Sequence, residues 1–178
     1  MRIIAGEAKG RRLAAPRVGT RPFTGRAKEA VFSSFQARVG GAAVLDLFAG
    51  SGSLGLEALS RGADSAVFVE QDRDAVAVLM ANVEAVGLGG SVVRRDAEAF
   101  LQRDGGTYHL VFVDPPYALE DGDVERILML VANRIADDGT VVLHRRFGGT
   151  PPESDNLRCT DRRRYGDSEI WIFEKEQS

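Results

Sequence analysis

Apolar and polar positions along the chain follow two alternating rhythms. Ala43–Phe48, Ser65–Glu70, Ser91–Arg94, His109–Val113 and Thr140–Leu143 are short, mostly apolar runs, as expected of strands buried on both faces of a parallel sheet. Between them apolar residues recur at helical spacing. Leu56, Leu59 and Gly62 mark one helix, and Val76, Leu79, Met80 and Val83 a second that Asp72 caps and Gly87 ends. Phe100 and Leu101 mark a short third, and Val124, Ile127, Leu128, Val131 and Ile135 a long fourth. Past Phe147 the alternation stops. Gly148–Asn156 is a Gly/Pro/Ser loop, and Leu157–Tyr165 with Glu169–Glu174 is predicted as a closing antiparallel pair.

Ahead of the first buried run, Met1–Ala5 and Arg12–Ala15 flank a basic turn and are predicted to pair as a hairpin. Pro16–Pro22 is a connecting loop, and Thr24 is expected to cap a helix that runs to about Val39 and stops at Gly40-Gly41. The predicted fold is α/β: an open, mostly parallel sheet of about seven strands with helices on both faces, plus an N-terminal basic β-hairpin extension. Residues 1–40 form the extension and residues 41–178 the main domain.

Charge sharpens that division. The net charge of −3 splits into +7 over residues 1–40 and −10 over the rest. A basic arm on an acidic body points to a polyanionic partner. Lys9, Arg11, Arg12, Arg17, Arg21, Arg26 and Lys28 are the candidate phosphate contacts, helped by Arg145, Arg146 and Arg162–Arg164. The single cysteine, Cys159, excludes an internal disulfide and a cysteine-rich metal site. No apolar run approaches a membrane span and the N-terminus has no signal-peptide pattern, so a cytoplasmic location is expected. A monomer is a separate expectation.

The chemistry centres on Ala43–Gly55, where a buried strand enters a turn carrying Gly50, Gly52 and Gly55 and then a helix. Strand, glycine turn and helix present backbone N–H groups at the carboxyl edge of the sheet, which makes a ligand site. Asp46, Glu70, Asp96 and Asp114 stand at or just after the ends of four successive strands, and so on that same edge. A nicotinamide dinucleotide would bring a diphosphate against them, at a cost of about 2–3 kcal/mol per like-charge contact at ~6 Å and an effective dielectric of ~20. A sulfonium and an α-ammonium, as in S-adenosylmethionine, would instead be attracted. Glu70 suits ribose hydroxyls under either hypothesis, and Asp96 an adenine amine.

Asp114-Pro115-Pro116-Tyr117 directly follows the fourth buried run. Two prolines fix φ and remove two N–H donors, so the turn is stiff. An amine on an aromatic base is a poor nucleophile, because its lone pair is delocalised into the ring. Oxygens that hold its N–H groups favour the pyramidal nitrogen of the transition state. The Asp114 carboxylate and the Pro115 carbonyl suit that work, and Tyr117 can stack on the base. His109, inside a strand, is expected to be packed. His144, near the edge, has no partner that spacing reveals.

DPPY with DLFAGSG resembles the class I S-adenosylmethionine-dependent methyltransferases of exocyclic amines, which are Rossmann-like. The chain is similar from end to end to the RsmD family, the small-subunit ribosomal RNA guanine-N2 methyltransferases. MRIIAG, Arg21-Pro22, Lys28-Glu29-Ala30-Val31-Phe32, residues 46–63, Phe68-Val69-Glu70, Asp96, DPPY and Arg164-Tyr165-Gly166-Asp167 carry the likeness. Phe23 and Gly25 stand where the family pattern has Thr and Asp. The resemblance implies that Asp46, Phe48, Gly50, Ser51, Gly52, Glu70, Gln71, Asp96, Ala97 and Asp114 hold S-adenosylmethionine. Asp114, Pro115, Pro116 and Tyr117 would hold a guanine of ribosomal RNA, naked or in a partly assembled small subunit, with no metal. The alternatives are methylation of adenine N6 in DNA or RNA, a nicotinamide-dependent oxidoreductase, and a non-catalytic RNA-binding assembly factor on the same fold.

Overall fold

Val44–Leu47 and Leu110–Val113 are buried along their whole length, so the sheet they build needs helices on both faces. The computed structural model describes residues 1–16 and 23–176. In chain order the elements are α1 (Gly25–Ser34), α2 (Gln36–Val39), β1 (Ala43–Leu47), α3 (Ser53–Ser60), β2 (Ser65–Glu70), α4 (Arg73–Val86), β3 (Ser91–Arg94), α5 (Ala97–Leu101), β4 (Tyr108–Val113), α6 (Asp121–Ala132), β5 (Ile135–Arg146), β6 (Leu157–Tyr165) and β7 (Ser168–Lys175). One seven-stranded sheet has the order β3-β2-β1-β4-β5-β7-β6. It is parallel from β3 to β5, and β7 runs antiparallel to both β5 and β6. Strand order reverses between β1 and β4, where a crevice opens beyond the carboxyl ends.

Alternate residues face opposite layers. Val44, Phe68 and Phe112 pack with Val31, Phe32, Leu56 and Leu79 of α1, α3 and α4. Leu45, Leu47, Val111 and Val113 pack with Leu101, Leu128 and Val131 of α5 and α6. Helix α3 is buried at all eight positions, because it lies directly over the sheet. Its Gly55 is required: a Cβ there would lie 2.4 Å from the Phe68 ring. Among the described residues no helix is long and apolar enough to cross a membrane.

Three elements differ from the spacing-based expectation. The helix capped by Thr24 breaks at Phe35 (φ −129°) and restarts as α2. Just before the break the Ser34 hydroxyl donates to the Val31 carbonyl at 2.6 Å, an alternative to the helical ladder. The long fourth helix stops at Ala132, although Ile135 keeps its period. Ile135 instead opens β5, because Tyr108 pairs with it and donates its N–H to the Arg134 carbonyl at 2.8 Å. Strand β5 runs well past Thr140–Leu143 because β7 pairs with it from Thr140 to Arg146. His109 is not packed: it is exposed, and its Nδ1 accepts the Ala43 N–H at 3.1 Å.

At the N-terminus Arg2 and Arg12 form an antiparallel bridge, and Ile3 N–H donates to Arg11 O at 3.0 Å. This segment docks on the body. Ile3 and Leu13 join the core cluster of Val44 and Leu56. Glu57, fully buried on α3, accepts the N–H groups of Ile4 and Ala5 at 2.8 and 3.0 Å. Asn82 of α4 both donates to and accepts from the Ala14 backbone, at 3.0 and 2.9 Å. The predicted loop at Pro16–Pro22 lies outside the described residues except for Pro16.

Candidate active site

The turn after β1 is built from backbone conformations that most side chains avoid. Phe48 has φ +60°, a non-glycine residue in the left-handed region, and holds about 1–3 kcal/mol of strain. Gly50 and Gly52 follow at φ +54° and +77°, and Gly52 starts α3. Two carboxylates fix this turn. Glu70 at the end of β2 accepts from Gly50 N–H and Asp72 N–H, both at 2.9 Å. Asp46 accepts from Gly55 N–H at 2.9 Å from beneath the turn.

Beyond the turn a cleft of about 580 Å³ opens, the size of a drug-like ligand site. Phe48, Gly50, Glu70, Gln71 and Asp114, five of the residues the resemblance assigns to the methyl donor, line it. Pro16, Asp72, Asp74 and Pro116 also line it, and its apolar wall includes Ala75 and Val78 of α4. Among the described residues its walls carry four carboxylates and no cation. Asp72 and Asp74 were signalled only by their place in the first turn of the helix after Glu70. A polar hollow of about 570 Å³ around Arg38, Asp137 and Glu174 lies at the opposite, amino-terminal edge of the parallel strands. Its charges already meet in Arg38–Glu174 and Lys175–Asp137 pairs, and ligands of open α/β sheets bind at the other edge.

Several predicted site residues sit elsewhere. Asp46 is 1% exposed and does not reach the cleft surface. Ser51 and Gly52 support the turn, with the Ser51 carbonyl accepting from Asn82 at 2.9 Å. Asp96 spends a carboxylate oxygen on Ala99 N–H at 2.9 Å, capping α5, so Asp96 and Ala97 start a helix beside the cleft. Lys28 is a correction: it is 1% exposed and pairs with Glu57 at 3.0 Å, out of reach of a phosphate. Burial lowers its pKa against the opposing pull of Glu57. Arg145 is another correction, buried and bonded to the carbonyls of Pro116 and Leu119 at 3.3 and 2.8 Å. It clasps the proline turn. Lys9, Arg11, Arg12 and Arg26 are exposed, with Arg11 also bonded to the Ala85 carbonyl. Arg17 and Arg21 lie outside the described residues.

The Asp46 carboxyl carries a testable consequence. Burial pushes its pKa well up, and nearby Asp114 and Glu70 add to this, against the Gly55 N–H. The folded state therefore holds the proton more tightly than the unfolded chain, so stability falls as pH rises from about 4 through the folded-state value. Asp46→Asn keeps an acceptor for Gly55 and removes this slope. Relative to wild type it should gain stability as pH rises through that window. Thermal melts of both proteins at pH 5 and pH 8 check this, and an unchanged difference would contradict it.

Strand β4 delivers Asp114 to the crevice, and the turn after it holds Pro115 buried and Tyr117 half-buried. His144, which spacing left without a role, is the partner of Asp114: its Nδ1 lies 2.7 Å from Oδ1. Strand register explains the meeting, because Val113 pairs with Leu143 and the next residues are Asp114 and His144. The imidazole packs against Phe23, at 4.7 Å between ring centroids, and Tyr117, at 5.9 Å. Phe23, one of the departures from the family pattern, is thus a packing partner of His144. The Arg146 guanidinium lies over the Tyr117 ring at 5.6 Å, and Arg164 over the exposed Phe147 at 3.7 Å.

The family described as Conserved hypothetical protein 95 matches residues 1–174. A Bacillus subtilis protein described as a candidate rRNA methyltransferase, YlbH, is 36% identical over 98% of this chain and 99% of its own length. Ribosomal RNA small subunit methyltransferase D of Escherichia coli K12 is 43% identical over 66% of this chain and 60% of its own. The solved structure of the Escherichia coli protein yhhF, described as a candidate methyltransferase, is 34% identical and superposes with a TM-score of 0.89 over 99% of this chain and 98% of that one.

Proposed function

The chain belongs to the Conserved hypothetical protein 95 family, the RsmD family, and from that membership we propose that it transfers a methyl group from S-adenosylmethionine to the exocyclic N2 of a guanine in small-subunit ribosomal RNA. One observation carries the reading most: the Asp114–Tyr117 turn opens onto a cleft whose described lining residues include four carboxylates and no cation. That lining suits a cationic methyl donor and disfavours a diphosphate. Phe48, Gly50, Glu70 and Gln71 would hold the donor, and the strained turn keeps their geometry rigid. When bound, S-adenosylmethionine supplies a sulfonium methyl, which the base nitrogen takes as the carbon–sulfur bond breaks and S-adenosylhomocysteine leaves.

The protein's share of the reaction is alignment and hydrogen bonding. Asp114 accepts one N–H of the target amine and the Pro115 carbonyl the other, which turns the nitrogen lone pair out of the ring plane. Asp114, already bonded to that amine, would accept the proton the nitrogen releases after transfer. Tyr117 stacks on the base, which must be unpaired or flipped to reach it. Calorimetry with S-adenosylhomocysteine and with NADH tests the cofactor: the first should bind and the second should not. A radiolabelled methyl-transfer assay on small-subunit particles separates the enzyme from a non-catalytic assembly factor.

Lys9, Arg11, Arg12 and Arg26 of the proposed RNA-contacting residues 1–40, with Arg146 and Arg164, would grip phosphates. Replacing Lys9, Arg12 and Arg26 by Gln should weaken RNA binding across sequences and reduce the slope of log K against log salt by about 1 per lost contact. Filter binding between low and moderate salt measures this. An unchanged slope would remove the arm from the interface.

A further inference from the structure

We infer that His144 is a positioning residue for Asp114, holding one carboxylate oxygen so that the other faces the target amine. The inference rests on the methyl-transfer reading for its consequence, but the contact stands on geometry alone. His144 is 4% exposed, on the strand next to β4, with Nδ1 2.7 Å from Asp114 Oδ1. An ionised carboxylate only accepts, so Nδ1 must carry the hydrogen and donate it. The Phe23 and Tyr117 rings both pack on the imidazole, and the backbone of β5 is locked to β7 through the His144–Ile170 pair. The imidazole therefore has little freedom. With Oδ1 committed to it, rotation of the carboxylate is stopped and Oδ2 is left to accept the substrate N–H. Asp114 itself stays 19% exposed at its side chain, open toward the cleft it lines.

The chain has two histidines, and the second supplies an internal control. His109 Nδ1 accepts the Ala43 N–H at 3.1 Å, so its hydrogen belongs on Nε2. The two rings should be opposite tautomers, and NMR of the ¹⁵N-histidine-labelled protein at a pH where both are neutral reads this directly. Assignment follows from His109→Asn. His144 found as the Nε2–H tautomer would overturn the inference, whether or not the protein methylates RNA.

Two substitutions then separate positioning from packing. His144→Phe fills the aromatic slot without a donor, whereas the side-chain nitrogen of His144→Asn overlays Nδ1. His144→Phe should lower kcat at saturating methyl donor by about 10- to 100-fold, since small misplacements of a reacting group have effects of that size. KM for the donor and affinity for S-adenosylhomocysteine should change less than about threefold, because His144 does not line the cleft. His144→Asn should recover kcat to within about threefold of wild type. Wild-type kcat in His144→Phe, or equal loss in both variants, would overturn the inference. A wild-type protein with no methyl transfer to small-subunit RNA would instead overturn the proposed function, and the tautomer would still decide the contact.

Discussion

Asp114→Ala should lower kcat for methyl transfer by about 10²–10³ with the donor saturating, the range seen when one preorganised hydrogen-bonding group is removed from a reaction centre. An aromatic amine shares its lone pair with the ring and gains nucleophilicity only as it pyramidalises. A fixed carboxylate stabilises that geometry more than the flat ground state, which is what a catalytic contact must do. Asp114 touches the donor cleft too, so some loss of S-adenosylhomocysteine affinity is expected, smaller than the loss in kcat. The substitution also leaves the His144 donor without its acceptor, at about 1–3 kcal/mol of stability. Single-turnover rates at saturating donor isolate the chemical step from both effects. A normal rate there would remove Asp114 from the chemistry.

The second large effect concerns the fold and the arm together. Lys28 donates to Glu57, to the Arg2 carbonyl and to the Ser53 carbonyl at 3.0, 3.1 and 3.4 Å, and Glu57 also binds Arg61 and the Ile4 and Ala5 N–H groups. Both side chains are buried, and removing Glu57 leaves Lys28 without its counter-ion. Removing Lys28 leaves Glu57 with Arg61 as its remaining cation and strips the Arg2 and Ser53 carbonyls of a donor. Lys28→Met should cost about 3–5 kcal/mol, on the order of 10 °C in Tm for a domain of this size. Glu57→Leu should cost as much, and the double substitution less than the two combined, because the sites share one network. Urea denaturation measures the stability. Limited proteolysis should show residues 1–16 cut faster in Lys28→Met. A loss below about 1 kcal/mol would mean that the pair does not anchor the segment.

The strands were legible because a strand buried on both faces leaves a continuous apolar run, as at Val44–Leu47 and Leu110–Val113. Asp72 was legible as a cap, since it lies next to the helix it closes, whereas Asp96, read as a contact for an adenine amine, caps α5 in the same way. What stayed hidden is contact across elements. Lys28 and Arg145 look like free cations in a basic stretch, and nothing nearby in sequence reveals Glu57 or the Pro116 carbonyl. His144 stands 30 residues from Asp114, and only the register of β4 on β5 joins them. Ile135 misled for another reason: its period suits the helix behind it, while its hydrogen-bond partner lies in β4.

Small-subunit RNA incubated with the protein and methyl-labelled S-adenosylmethionine, then digested to nucleosides for mass spectrometry, tests the central claim most directly. The label should appear as N2-methylguanosine, and it should be absent with Asp114→Ala. Label in N6-methyladenosine, or no label in any nucleoside while S-adenosylhomocysteine binds, would contradict the account.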